Sequence, residues 1–64
     1  MAVITRYDGR TEWAADGGCT LWTLDRRLAY DFDGDAALEL VDTLAASEAG
    51  KTFVFGVSFD PLDA

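Results

Sequence analysis

The chain has 64 residues, half of them hydrophobic, and a formal net charge of −7. This length allows a single domain with one small core, and the hydrophobic content excludes an intrinsically disordered chain. No apolar run approaches the ~20 residues that cross a bilayer, and the segment Met1–Ile4, which lacks a basic region followed by a long apolar stretch, leads us to expect no signal peptide. We therefore expect one cytoplasmic domain over residues 1–64, ordered over residues 2–60 and followed by a tail at 61–64.

The residue types that common enzyme chemistry needs are largely missing. The chain has no His, and its single cysteine, Cys19, can form neither an internal disulfide nor a metal-ligand pair. A lone cysteine near Asp16 is expected to be an inert thiol with a raised pKa. The sequence therefore predicts no catalytic residues, no cofactor, no metal ligands and no enzymatic activity.

The first half of the chain predicts a meander of four short strands. The segments Asp8-Gly9, Gly17-Gly18 and Asp25–Arg27 are typical of turns between strands. Two-residue turns at the first two places put Trp13 opposite both Ile4 and Trp22, and a three-residue third turn continues the same face. The predicted apolar face consists of Ile4, Trp13, Trp22, Leu24, Leu28, Tyr30 and Phe32.

A single helix is predicted over roughly residues 34–49, because apolar residues recur there at helical spacing. Asp33 or Asp35 is expected to cap its start and Gly50 to end it. The segment Lys51–Phe59 alternates large apolar residues with others and is typical of a strand. The residues expected in the core are Trp13, Trp22, Phe32, Leu38, Val41, Leu44, Phe53 and Phe55.

The predicted fold class is α+β: a four-stranded antiparallel meander, then one helix packed on one face of the sheet, then a fifth strand (β-β-β-β-α-β). Two places remain open for the fifth strand. It pairs either antiparallel with the first strand or parallel with the fourth.

The charge is distributed unevenly. Residues 1–27 contain four acidic residues and four Arg, whereas residues 28–64 contain eight acidic residues and only Lys51. On the predicted helix, Asp35, Glu39 and Asp42 lie on the side away from the apolar stripe. Such a surface repels phosphate, so we expect no direct nucleic-acid binding and attraction to a basic protein surface. The plain alternative is that the acidity only confers solubility.

The predicted register leaves the second face of the sheet without a cover. Val3, Tyr7, Leu21 and Val54 lie on that face, and the only predicted helix packs on the other one. An exposed apolar patch on a small protein is typical of an interaction site, although scattered exposed apolar side chains are also ordinary. The predicted partner-binding residues are therefore Asp35, Glu39, Asp42, Val3, Tyr7, Leu21 and Val54.

The run from Asp31 to Asp42 partly resembles a calcium-binding loop. Asp31, Asp33 and Asp35 occupy alternate positions, and Asp42 stands twelfth, as the ligands of such a loop do. The sixth position, where the sharp turn needs glycine, is Ala36. A helix cap is the favoured interpretation, and a weak divalent-cation site at Asp31, Asp33 and Asp35 is the alternative.

These features predict a small acidic, non-enzymatic protein-binding module, an inhibitor or regulator that docks on a basic surface of a partner protein. A special case is a phage-type inhibitor of a host enzyme that mimics nucleic acid. The alternatives are a homo-oligomeric structural or assembly subunit, such as a homodimer, that uses the uncovered sheet face, and the weak cation binder. No membrane partner is expected.

Overall fold

The computed structural model describes residues 2–59, which form an antiparallel four-stranded sheet with one α-helix on one face. The α+β class and the single helix are therefore as predicted, while the predicted tail at 61–64 lies outside the described residues. The elements are β1 (Ala2–Tyr7), β2 (Thr11–Ala14), β3 (Trp22–Thr23), α1 (Gly34–Ala46) and β4 (Val54–Phe59), with 3-10 turns at Arg26–Leu28 and Glu48–Lys51. The sheet order is β3-β2-β1-β4.

Strand β1 occupies the centre of the sheet, antiparallel to β2 on one side and to β4 on the other. The last strand thus joins the first, which is one of the two arrangements that the sequence left open. The register with β4 runs without interruption from Ala2↔Phe59 to Tyr7↔Val54. The first three residues of β1 are almost completely buried, so this strand anchors the core.

The fourth strand predicted at residues 28–32 does not form beside β3. The turn at Arg26–Leu28 redirects the chain, and Asp25 caps it by accepting a hydrogen bond from a turn N–H at 3.0 Å. The following segment crosses the base of the sheet, where its N–H groups donate to the carbonyls of Ala14 and Ala2 at 2.9 and 2.8 Å. It therefore closes the gap between β1 and β2 instead of widening the sheet.

The first hairpin differs from the predicted register by one residue. Thr5, and not Ile4, is the partner of Trp13. Gly9 forms the apex with φ 83°, and the residues on either side of it share a backbone hydrogen bond of 3.3 Å. A shift of one residue exchanges the two faces of a strand. Trp13 consequently lies on the face away from the helix, where it is half-buried.

The second hairpin is a wide loop and not the predicted two-residue turn. The carboxylate of Asp16 accepts hydrogen bonds from the N–H and the hydroxyl of Thr20 at 2.7 and 2.6 Å. It also accepts one from the N–H of Leu21 at 3.0 Å. These bonds fix a loop that ends just before β3, so Trp22 pairs with Ala14 and the two tryptophans lie on opposite faces.

The hydrophobic core lies between α1 and the sheet. It consists of Ala2, Ile4, Ala14, Cys19, Phe32 and Ala37, with Trp22, Leu40, Val41, Leu44 and Val57 packed against it. The prediction that Leu38 is buried was wrong, since its side chain is 53% exposed. Leu38 lies about 100° around the helix from Ala37, and Leu40 takes the inward position instead. Phe53 and Phe55 are half-buried.

Helix α1 ends earlier than predicted. The hydroxyl of Ser47 donates to the carbonyl of Leu44 at 2.6 Å, a bond that competes with continuation of the helix. Gly50 lies in the following 3-10 turn, where a Cβ would collide with the carbonyl of Ala45. Its role is therefore close packing and not the helix end. Asp33 is the N-cap residue, as expected, but its side chain makes no capping hydrogen bond.

Replacing Ile4 with Ala should lower the free energy of unfolding by about 2–5 kcal/mol, because Ile4 is the largest fully buried side chain. The change Leu38→Ala should alter it by no more than about 0.5 kcal/mol, because that side chain is exposed. Urea denaturation followed by tryptophan fluorescence measures both values. Equal losses would mean that Leu38 belongs to the core after all.

Asp16 should stabilise the fold only in its ionised form. The hydrogen bond from the Thr20 hydroxyl is the main cause that lowers the pKa of Asp16 below the ordinary value of 3.8. Its contribution is therefore present above pH 3.8 and is lost as the pH falls through the lower folded-state value. Thermal melts between about pH 7 and about pH 2 should show Asp16→Ala destabilised at neutral pH and approaching the parent in acid. Thr20→Val should reproduce part of this behaviour, and a constant deficit at every pH would contradict it.

Candidate interaction surfaces

Helix α1 carries a row of acidic side chains on its outer side. At 100° per residue, Asp35, Glu39 and Asp42 fall within an arc of about 60° opposite the stripe that packs on the sheet. All three are exposed, and the helix contains no Lys or Arg. We call these three residues the acidic face. A shallow depression adjoins it, lined by Ala36, Glu39, Leu40, Asp42 and Thr43.

The acidic face lowers the stability of its own helix. Glu39 is four residues from Asp35 and three from Asp42, so like charges are neighbours on the helix surface. Asp35 lies in the first turn, where the helix dipole favours a negative charge, but Asp42 lies toward the disfavoured end. The ion pair between Lys51 and Glu48 lies beyond the helix and compensates none of these charges.

The opposite face of the sheet, which we call the open face, is not covered by the helix. The register assigns to it Val3, Thr5, Tyr7, Thr11, Trp13, Thr23, Val54, Gly56 and Ser58. Tyr7 and Val54 are direct cross-strand partners and both are exposed, Val54 to 71%. Leu21 is exposed beside β3, and the bond from the Ala15 N–H to its carbonyl, 2.8 Å, continues the register and places it on the same face.

Val3 does not fit the predicted binding patch. The prediction placed it on the open face correctly but treated it as exposed, whereas it is completely buried. Strand alternation assigns a side chain to a face but does not say what else packs there. Val3 therefore contributes to stability and is unable to touch a partner.

The predicted binding residues fall into two groups on opposite sides of the molecule. The acidic face points away from the sheet on the helix side, and Tyr7, Val54 and Leu21 lie on the other side of the sheet. A partner that docks as a rigid body touches one group or the other. The sequence predicted one interface made of the acidic face and the apolar residues of the open face, but these form two separate surfaces.

A polar cluster around Arg6, which the apolar pattern of the sequence does not indicate, lies on the helix side of the sheet. The guanidinium carbon of Arg6 is 4.4 Å from the ring centres of both Trp22 and Phe53. Its Nε donates to Glu12 at 2.9 Å, and the Arg6 side chain is only 23% exposed. The weakly hydrated, planar guanidinium is well suited to such a site between two rings.

The Arg6 cluster is structural. Its charge is balanced by Glu12, and its guanidinium carbon is 4.4 Å from two aromatic ring centres, so the group is already engaged within the protein. The available signal was strand alternation, since Arg6 follows Ile4 by two residues and must share its face. A two-residue turn at Asp8-Gly9 sets Glu12 opposite Thr5, away from Arg6, and the observed one-residue shift brings Glu12 opposite Arg6.

Cys19 lies in the loop before β3 and is buried. Its carbonyl accepts a hydrogen bond from the indole N–H of Trp22 at 3.1 Å, and its backbone is left-handed with φ 57°. Burial, and secondarily the charge of Asp16, raise the pKa of the Cys19 thiol, which confirms the predicted direction. A thiol that stays protonated and buried is a poor nucleophile.

The acids of the calcium-like run do not form a cluster. Asp31, Asp33 and Asp35 are all exposed, and α1 already begins at Gly34, within the run. Within residues 2–59, no group of three or more potential ligands is arranged to hold a metal ion. The alternative of a divalent-cation site therefore gains no support from the geometry.

Comparisons with protein family models, with curated proteins and with solved structures found no match to this chain. In the part of the chain that the structure describes, no helix is long and apolar enough to cross a membrane. The surfaces themselves are therefore the basis for any statement about function.

Neutralising the centre of the acidic face should stabilise the protein. We expect Glu39→Gln to raise the free energy of unfolding by about 0.5 kcal/mol, because it removes two like-charge contacts on the helix surface. The matched change Glu48→Gln removes another exposed acid, one that has Lys51 as its partner, so it should give no gain. Urea denaturation at low ionic strength tests both, and a loss of stability in Glu39→Gln would contradict the repulsion.

Proposed function

We propose that this protein is a small, non-enzymatic binding module that docks its acidic face on a basic surface of a partner protein and acts as an inhibitor or regulator. The observation that carries this proposal is the uncompensated row of Asp35, Glu39 and Asp42 on the outside of α1. Solubility would be served equally well by acids spread over the surface. Concentrating them on one helix costs stability, and complementary charge on a partner would offset that cost.

The acidic face is held on a rigid element. On the reverse side of the same helix, Ala37 is completely buried and Leu44 packs against the core. Charges fixed in this way steer the approach of an oppositely charged protein and lose little conformational entropy when they bind. This supports a role in recognition, in which charge sets the rate of encounter and the surrounding contacts set the lifetime.

The spacing of the acids favours a basic protein surface over a close imitation of nucleic acid. The three carboxylates span about 10.5 Å along the helix axis, or one charge per roughly 5 Å. A strand of B-DNA carries one charge per about 3.4 Å. Mimicry of nucleic acid is therefore a special case of the proposal, in which the basic surface of the partner is its nucleic-acid site. This case also predicts that DNA displaces the protein from its partner.

Binding should depend on where the charge is lost and not only on how much. The test variant carries Asp35→Asn, Glu39→Gln and Asp42→Asn. The matched control carries Asp8→Asn, Asp31→Asn and Glu48→Gln, which remove three exposed charges elsewhere. Each protein serves as bait in the source lysate, and association with the captured partner is then measured at about 0.1 M and about 1 M salt.

We expect the test variant to associate at least tenfold more slowly than the parent at low salt, the control to behave like the parent, and the difference to shrink at high salt. Equal losses in both variants would mean that only net charge matters. No loss in either would remove the acidic face from the interface. Displacement by a DNA duplex would single out the mimicry form.

A further inference from the structure

The outer edge of β4 presents unpaired backbone groups. The N–H of Phe32 donates to the carbonyl of Ala2, so even-numbered residues of β1 turn their backbone groups toward β2, and odd-numbered residues turn theirs toward β4. The residues of β4 that face β1 are therefore Val54, Gly56 and Ser58. Phe55, Val57 and Phe59 direct their N–H and C=O groups outward, and no described residue bonds to these groups.

This edge lacks the devices that normally prevent strand addition. Over Val54–Phe59 there is no charged residue and no Pro, and the unbroken register with β1 leaves no bulge. The other edge strand, β3, is only two residues long. The β3 edge is thus too short to pair with an added strand. The β4 edge is six residues long, has no bulge and is uncharged.

We propose that the β4 edge pairs with β4 of a second copy of this chain, antiparallel about a two-fold axis at Val57. This register sets Val57 against its own copy and Phe55 against Phe59, so the outward-facing residues form roughly six backbone hydrogen bonds. The two sheets join into one eight-stranded sheet with both helices on the same face.

The position of α1 favours a second copy as the occupant. Helix α1 contacts both β1 and β4, so with strands about 4.8 Å apart the two helix axes would lie about 10 Å apart across the new edge. That is the usual distance between packed helices. A second copy therefore adds a contact between its own α1 and the first α1, which an isolated peptide strand at the same edge does not provide.

Two exposed apolar side chains lie where the helices would meet. Phe59 is 59% exposed and packs beside Gly34 at the start of α1. Leu38 lies one turn further on the same side of the helix. Starting from the contact of Gly34 with Phe59, Leu38 lies four residues along the helix and Val57 two residues back along β4, and both steps cover about 6 Å. Leu38 is therefore level with Val57 and would meet its own copy at the two-fold axis.

Charge acts against this dimer, and part of it lies close to the helix contact. Each chain carries −7, and Asp35 and Asp42 lie three and four residues from Leu38 on the helix surface, whereas β4 is uncharged. Added salt screens the repulsion between the two acidic faces, so the dimer should strengthen with salt. Binding to a basic partner should weaken with salt, which makes the two proposals separable; neither requires the other.

The test is sedimentation equilibrium of the purified protein at about 0.1 M and about 1 M salt. We expect a reversible monomer–dimer equilibrium that shifts toward the dimer at high salt. Leu38→Gln should raise the dissociation constant roughly tenfold. The control Leu28→Gln alters a similarly exposed leucine, 62% exposed, that lies outside the contact, and it should have no effect.

A second measurement tests the backbone pairing without altering any side chain. Hydrogen exchange of the Phe55, Val57 and Phe59 amides should be fast in dilute solution and slow at concentrations where the dimer forms. The amides of Val54, Gly56 and Ser58 should be protected at both. A protein that stays monomeric at high salt, exchange independent of concentration, or a dimer that resists Leu38→Gln but is lost in Tyr7→Ala would each overturn the proposal.

Discussion

Strand β1 is hydrogen-bonded along both edges, and the remaining elements take their places from it. Its first three residues are almost fully buried, and Ile4 has the largest fully buried side chain of the residues described, beneath the helix. A chain of this length has room for little more than one such strand, because small domains bury a modest fraction of their surface. The helix lies over β1 and β4, and the segment before it closes the base of the sheet against Ala2.

Turn chemistry then decides which side chains share a face. A left-handed glycine at the first apex and the three bonds accepted by Asp16 in the second loop each move the register by one residue. Because faces alternate along a strand, the first shift brings Glu12 opposite Arg6 and the second separates Trp13 from Trp22. The guanidinium of Arg6 then lies against Trp22 and Phe53 on the helix side of the sheet.

The surfaces that this arrangement leaves exposed differ in chemistry and direction. The acidic face points outward from the helix, the open face carries Tyr7 and Val54 on the far side of the sheet, and the β4 edge lies between them. Only the first is strongly charged, and only the edge presents unsatisfied backbone groups. Salt is therefore expected to weaken binding at the acidic face and to strengthen pairing at the β4 edge.

The sequence by itself determined the first three strands and the last one, the helix with its acidic outer side, and the absence of His and paired Cys, because periodicity and composition are local properties. It did not determine the two hairpin registers or the fate of residues 28–32. The first register depends on the left-handed Gly9, and the second register and the course of residues 28–32 depend on hydrogen bonds that the carboxylates of Asp16 and Asp25 accept. These features change turn length without changing the apolar pattern. Likewise, alternation placed Val3 on the open face, but only tertiary packing decided that it is buried there and that Leu38 is exposed. Burial depends on which neighbours approach a side chain, and that is a property of the assembled fold.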